Sequence, residues 1–108
     1  MARKVNLVME QGASFSNTII ALSNTGEVVD LTGFTANGQM RKHFTSNTAY
    51  TFTVVLGTID GAQTLSMNAE TNANIVGGRY VYDVEATDGN TVIRTVEGIV
   101  TVTPNVTR

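Results

Sequence analysis

From Phe34 to His43 apolar and polar residues alternate without interruption: Phe34, Ala36, Gly38 and Met40 fall on one side, Thr35, Asn37, Gln39 and Arg41 on the other. A period of two places side chains on opposite faces of an extended chain, so this stretch reads as a β-strand with one face toward a core. Shorter runs of the same kind recur at the eight-to-twelve-residue spacing of a sandwich or barrel, separated by turn residues. Arg3–Met9 carries Val5, Leu7 and Met9 on one face. Phe15–Leu22 contains adjacent Ile19 and Ile20, which predicts either two covered faces or a bulge. Tyr50, Phe52, Val54 and Leu56 form an inward set, and the Asp60-Gly61 turn signal joins them to Ala62–Met67 as a hairpin. Tyr80, Tyr82, Val84 and Ala86 share a face up to the turn Asp88-Gly89-Asn90, and Thr91–Thr103 is the last strand, with a kink or bulge expected at Glu97-Gly98 and a stop at Pro104.

Composition points the same way. Seventeen Thr, fourteen Val, ten Gly and ten Asn stand against one Pro, a β-branched and turn-rich mixture poor in helix formers. Between Asn68 and Val76 the two-residue period is lost, and Asn68-Ala69-Glu70-Thr71 is suited to capping one helical turn. The expectation is an all-β protein: an immunoglobulin-like antiparallel β-sandwich of about seven strands with one short helical turn. At 108 residues there is room for one core, so residues 1–108 are expected to form a single domain, without repeats, low-complexity runs or a linker.

Gly78-Arg79-Tyr80-Val81-Tyr82 follows the one-turn corner. The order is that of the tyrosine corner, in which a Tyr early in a strand bonds the backbone upstream. Tyr80 is the candidate corner residue, with Gly77-Gly78 supplying backbone freedom. Tyr82 then takes the core position that a cysteine fills in antibody domains, although no strand-C tryptophan accompanies it.

Several function classes are excluded by residue type. A net charge of −2 with 15% charged residues leaves no basic field for a phosphate backbone, so no nucleic acid is expected as partner. Without Cys or Trp, and with His43 the sole histidine, neither thiolate metal sites nor a nucleophile–histidine pair can be assembled. The longest apolar runs are a few residues, and Met1-Ala2-Arg3-Lys4 leads into no signal-peptide core, so neither a membrane span nor export is expected. Asp83 and Glu85 lie about 7 Å apart on one strand face with Asp88 nearby, but they lack the close ligand spacing of a calcium loop. They read as a solvated face. Arg41-Lys42-His43-Phe44, the one basic cluster, reads as charge that keeps an exposed strand from aggregating rather than as an anion site. Asn105-Val106-Thr107 matches a glycosylation sequon, which means little without a leader. No cofactor, metal or small-molecule substrate is expected.

Five segments taken together resemble a family. They are Asp30-Leu31-Thr32-Gly33; Gly38-Gln39-Met40-Arg41-Lys42; Leu65-Ser66-Met67; Gly78-Arg79-Tyr80-Val81-Tyr82-Asp83-Val84; and Glu97-Gly98-Ile99-Val100-Thr101-Val102-Thr103-Pro104. The arrangement is similar to small virion proteins of tailed, cyanophage-type bacteriophages and to the immunoglobulin-like N-terminal domain of phage baseplate upper proteins. The resemblance covers nearly the whole chain and implies a virion structural protein with no catalytic residues, assembled in the host cytoplasm through contacts with other virion proteins and with itself. A place in the tail, baseplate or neck is the first expectation. Capsid decoration and a carbohydrate or host-surface binding module are the alternatives, the latter wanting exposed aromatic platforms. Candidate assembly contacts are the two chain ends, Arg3, Lys4 and Val5 at one and Asn105, Val106, Thr107 and Arg108 at the other, where extended backbone could complete a neighbour's sheet.

Overall fold

The computed structural model describes residues 3–21, 26–27, 30–57 and 61–104, with only the backbone at Arg3. The Asp60 half of the hairpin turn, Leu22, and the contacts assigned to Asn105, Val106, Thr107 and Arg108 lie outside these residues.

The protein is all-β with one short helix. Its elements are β1 (Arg3–Lys4), β2 (Leu7–Glu10), β3 (Phe15–Ile20), β4 (Thr35–Arg41), β5 (Tyr50–Leu56), β6 (Ala62–Met67), α1 (Ala69–Ala73), β7 (Gly78–Thr87) and β8 (Val92–Thr103). The strand order is β1-β8-β7-β4-β5-β6-β3, with β2 also on β8. β5 turns the sheet over on itself. Its first residues pair with β4, as in Phe52 opposite Gly38, and its last pair with β6, as in Leu56 opposite Gln63. The two halves therefore face each other as layers of a sandwich, joined at one seam by β5 and bounded at the other by β1/β2 and β3.

Between the layers lie Leu7, Met9, Phe15, Ile19, Met40, Phe52, Leu65, Met67 and the inward row Tyr80, Tyr82, Val84 of β7. Phe52 is tilted against Phe15 at 5.9 Å and meets Tyr82 edge-on at 6.2 Å, arrangements that suit the ring quadrupoles. Met40 and Gly38 are buried as their alternation requires, and Thr35, Asn37 and Gln39 are exposed. A methyl group on Gly38 would stand 3.2 Å from methyls of Val54 and Val84, so those side chains would have to give way by a few tenths of an ångström.

Four expectations need correction. The sheet is mixed, because β1 and β2 run parallel to β8. Some ninety residues separate these partners, so no tight hairpin forces antiparallel pairing. The stretch Arg3–Met9 forms two strands in one register, interrupted at Val5-Asn6. The bulge in β8 lies at Thr95, three residues before Gly98: Val84 opposes Val96 and Glu85 opposes Arg94, which leaves Thr95 as the extra residue and buries it beside Val96. Finally, β4 ends at Arg41 and sits between β7 and β5, so Arg41 and His43 guard no edge.

Candidate functional site

The corner is built from local chemistry. The Asn68 side chain accepts from the Thr71 N–H at 2.8 Å and caps α1. The chain then re-enters the sheet through Gly78, whose φ of +143° few side chains adopt. The Tyr80 hydroxyl donates to the Val76 carbonyl at 2.6 Å. Burial, and after it the neighbouring Tyr50, raises the Tyr80 pKa. The Lys42 ammonium stands 5.0 Å over the Tyr80 ring, and Tyr50 meets that ring edge-on at 6.1 Å. Beside it opens a shallow pocket bounded by Lys42, His43, Asn47, Thr48, Tyr50 and Tyr80.

Tyr82 reaches further. Its hydroxyl donates to the Val5 carbonyl at 2.6 Å, and burial pushes its pKa up to about 12. Val5 is half-buried and its N–H donates to Glu97 O at 2.9 Å. Among the N-terminal contact candidates, Lys4 presents an exposed side chain, while both backbone groups of Val5 are engaged within the molecule.

The acidic trio is dispersed. Asp83 pairs with Arg94 at 3.4 Å, and Arg94 also reaches Glu97 at 3.6 Å. Asp88 spends its carboxylate on the turn, accepting from the Thr91 and Asn90 N–H groups, which hold its pKa below the usual range. Glu85 is exposed. Among the described residues no three His, Cys, Asp or Glu side chains converge as metal ligands. Arg41 donates to Ser46 O and Gln39 Oε1, so it braces the loop that follows β4.

Three features were not anticipated. Phe44 is 83% exposed and overhangs a groove on the outer face formed by Lys4, Asn6, Val81, Gly98 and Ile99; the sequence signal was an aromatic residue placed after the strand's last paired position. Gln63 and Thr95 are buried and bonded to each other between the layers, with Gln63 Nε2 left without a partner. Gln63 shares its parity with Leu65 and Met67, which marks it as inward. Asn72 is fully buried and donates to Glu10 O and Ala13 O, each at 2.6 Å, tying α1 to the β2–β3 turn.

No protein-family model and no curated protein matches the chain. Among solved structures it is similar to a family 123 glycoside hydrolase from Clostridium perfringens, studied for glycolipid glycan hydrolysis, with 11% identity and a TM-score of 0.44. That likeness covers 97% of this chain and 23% of the hydrolase.

Proposed function

We propose that the protein is a non-enzymatic structural component of a tailed-phage virion, working through protein–protein contacts in the tail, baseplate or neck. Phe44 carries the contact reading. A phenyl ring 83% exposed over a groove that Val81 and Ile99 also line is apolar area that a neighbouring surface would remove from water at about 25 cal/mol per Å². The resemblance of the paired segments at Asp30–Gly33 and Gly78–Val84 to phage virion proteins supplies the setting. Both segments have structural work to do: the Thr32 N–H donates to Asp30 Oδ1 at 2.9 Å in a tight turn, and Tyr80 and Tyr82 fasten the corner and the N-terminal segment.

Purified particles from the phage encoding this chain are the test. The chain is expected in them by mass spectrometry, and Phe44→Ser, deletion of Met1–Lys4 and deletion of Asn105–Arg108 are each compared with wild type for folding and incorporation. Folded variants with reduced incorporation support the reading. Absence from the particle overturns it, and wild-type incorporation of all three variants overturns the contact surfaces assigned.

A second reading rests on the corner pocket, where Tyr50 and Tyr80 rings lie beside the amide and hydroxyl groups of Asn47 and Thr48, the mixture a sugar-binding site uses. Retention on a glycan array that is lost in Tyr50→Ala would favour a carbohydrate-binding module instead.

A further inference from the structure

β3 ends the strand order among the described residues, and no described strand pairs with its outer side. Phe15-Ser16-Asn17-Thr18-Ile19-Ile20 contains no charge and no proline, and its six-residue register with β6 has no bulge. Edge strands in natural proteins are normally blunted by one of these devices.

The direction of the backbone groups at Ser16 and Thr18 follows from one bond. The Ala21 N–H donates to Gly61 O at 2.8 Å, continuing the register in which Ile20 opposes Ala62. Bonded and non-bonded positions alternate along an antiparallel pair. Phe15, Asn17 and Ile19 therefore direct their N–H and C=O groups to β6, and Ser16 and Thr18 direct theirs outward.

We infer that β3 pairs antiparallel with β3 of a second copy, about a two-fold axis through Asn17. In that register Ser16 of each copy opposes Thr18 of the other, and each such pair exchanges both backbone bonds through the outward groups just identified. Side chains agree with the register. Phe15 opposes Ile19 of the second copy on the inner face, extending the apolar row at the open seam. Ser16 and Thr18 bring hydroxyls together on the outer face, and the exposed Asn17 meets its own symmetry mate. Shifting the axis to Thr18 would set the buried Ile19 against Asn17, which is a poorer match. The inference concerns the free protein in solution and does not depend on the virion reading.

Sedimentation velocity across a concentration series tests it, together with substitutions at the axis. Asn17 is exposed, so its replacement leaves the core intact, and melting curves check this. Asn17→Lys and Asn17→Asp each place like charges directly opposite and should weaken dimerisation about fivefold, whereas an equal mixture of the two variants should restore it. The chain has no cysteine, so Asn17→Cys introduces a single thiol. Facing non-bonded positions stand about 4.5 Å apart between Cα atoms, within reach of a disulfide. Oxidation should therefore yield covalent dimer faster than it does for Asn37→Cys on the opposite layer. Equal cross-linking of the two, or a dimer that survives in both charged variants, overturns the inference.

Discussion

The Tyr82 hydroxyl donates to the Val5 carbonyl at 2.6 Å across 77 residues of sequence. That bond sits at the two-residue interruption between β1 and β2. Register on either side of it is the same, Lys4 opposite Glu97 and Leu7 opposite Val100. Within the gap side chains take over from the ladder: Tyr82 satisfies Val5 O, and Asn6 Oδ1 accepts from the Ile99 N–H at 3.1 Å. The N-terminal segment is therefore fastened to the barrel-like body by polar side-chain bonds as well as by strand pairing.

Tyr82→Phe should cost about 1–3 kcal/mol, because it strands a carbonyl in a part-buried place. Tyr80→Phe should cost on the order of 1 kcal/mol, near the net value of one hydrogen bond. Urea midpoints check both, and an unchanged midpoint in Tyr80→Phe would remove the corner bond from the account of stability.

Stability should also fall at high pH. Tyr82 is raised in the folded state from 10.0 to about 12, so the neutral phenol is favoured by folding. Its contribution is complete below pH 10 and is lost as pH rises toward 12. After allowance for solvent screening, a loss on the order of 1–2 kcal/mol is expected over that interval. Tyr82→Phe should flatten that part of the curve, with urea titrations at successive pH values as the measurement.

Gly98→Ala should be among the most disruptive single changes. A methyl group there would overlap the Val5 carbonyl, which is backbone and held on both sides. The expected outcome is displacement of the N-terminal segment, seen as lost hydrogen-exchange protection at the Val5 amide with β4–β7 protection retained.

The Gln63–Thr95 pair predicts an asymmetry. Thr95→Val leaves both polar atoms of the buried Gln63 amide without partners and should cost about 1–3 kcal/mol. Gln63→Leu should cost less, since the Thr95 hydroxyl still has Val84 O at 3.3 Å. The double variant Gln63→Leu/Thr95→Val should be close to wild type or more stable, and a double-mutant cycle in denaturant measures the coupling.

Asn72→Ala should cost about 1–2 kcal/mol, since Ala13 O loses the amide that donates to it and Glu10 O keeps only the Ala13 N–H at 3.1 Å. The loss should loosen α1 and the β2–β3 turn together, so exchange at the Ala13 and Ile75 amides should quicken in step. Faster exchange at one of them alone would show that Asn72 does not couple them.

The class of the fold and much of its local detail can be read from the order of residues. The inward positions of Met40, Phe52, Tyr80 and Tyr82, the helical turn after Asn68, and the turn at Asp88-Gly89-Asn90 were all legible, because alternation, capping and turn chemistry are set by residues a few positions apart. Tyr80 was legible as a corner for the same reason, its acceptor being four residues away. Which strands meet is settled by long-range packing, and with it the parallel seating of β1 and β2 on β8, the bulge at Thr95, the exposure of Phe44, and the partners of Gln63, Asn72 and Tyr82. Each of these depends on a contact between residues far apart in the chain. A hydroxyl or amide that must find a partner announces its need in the sequence, but the partner's address is supplied only when the layers close over it.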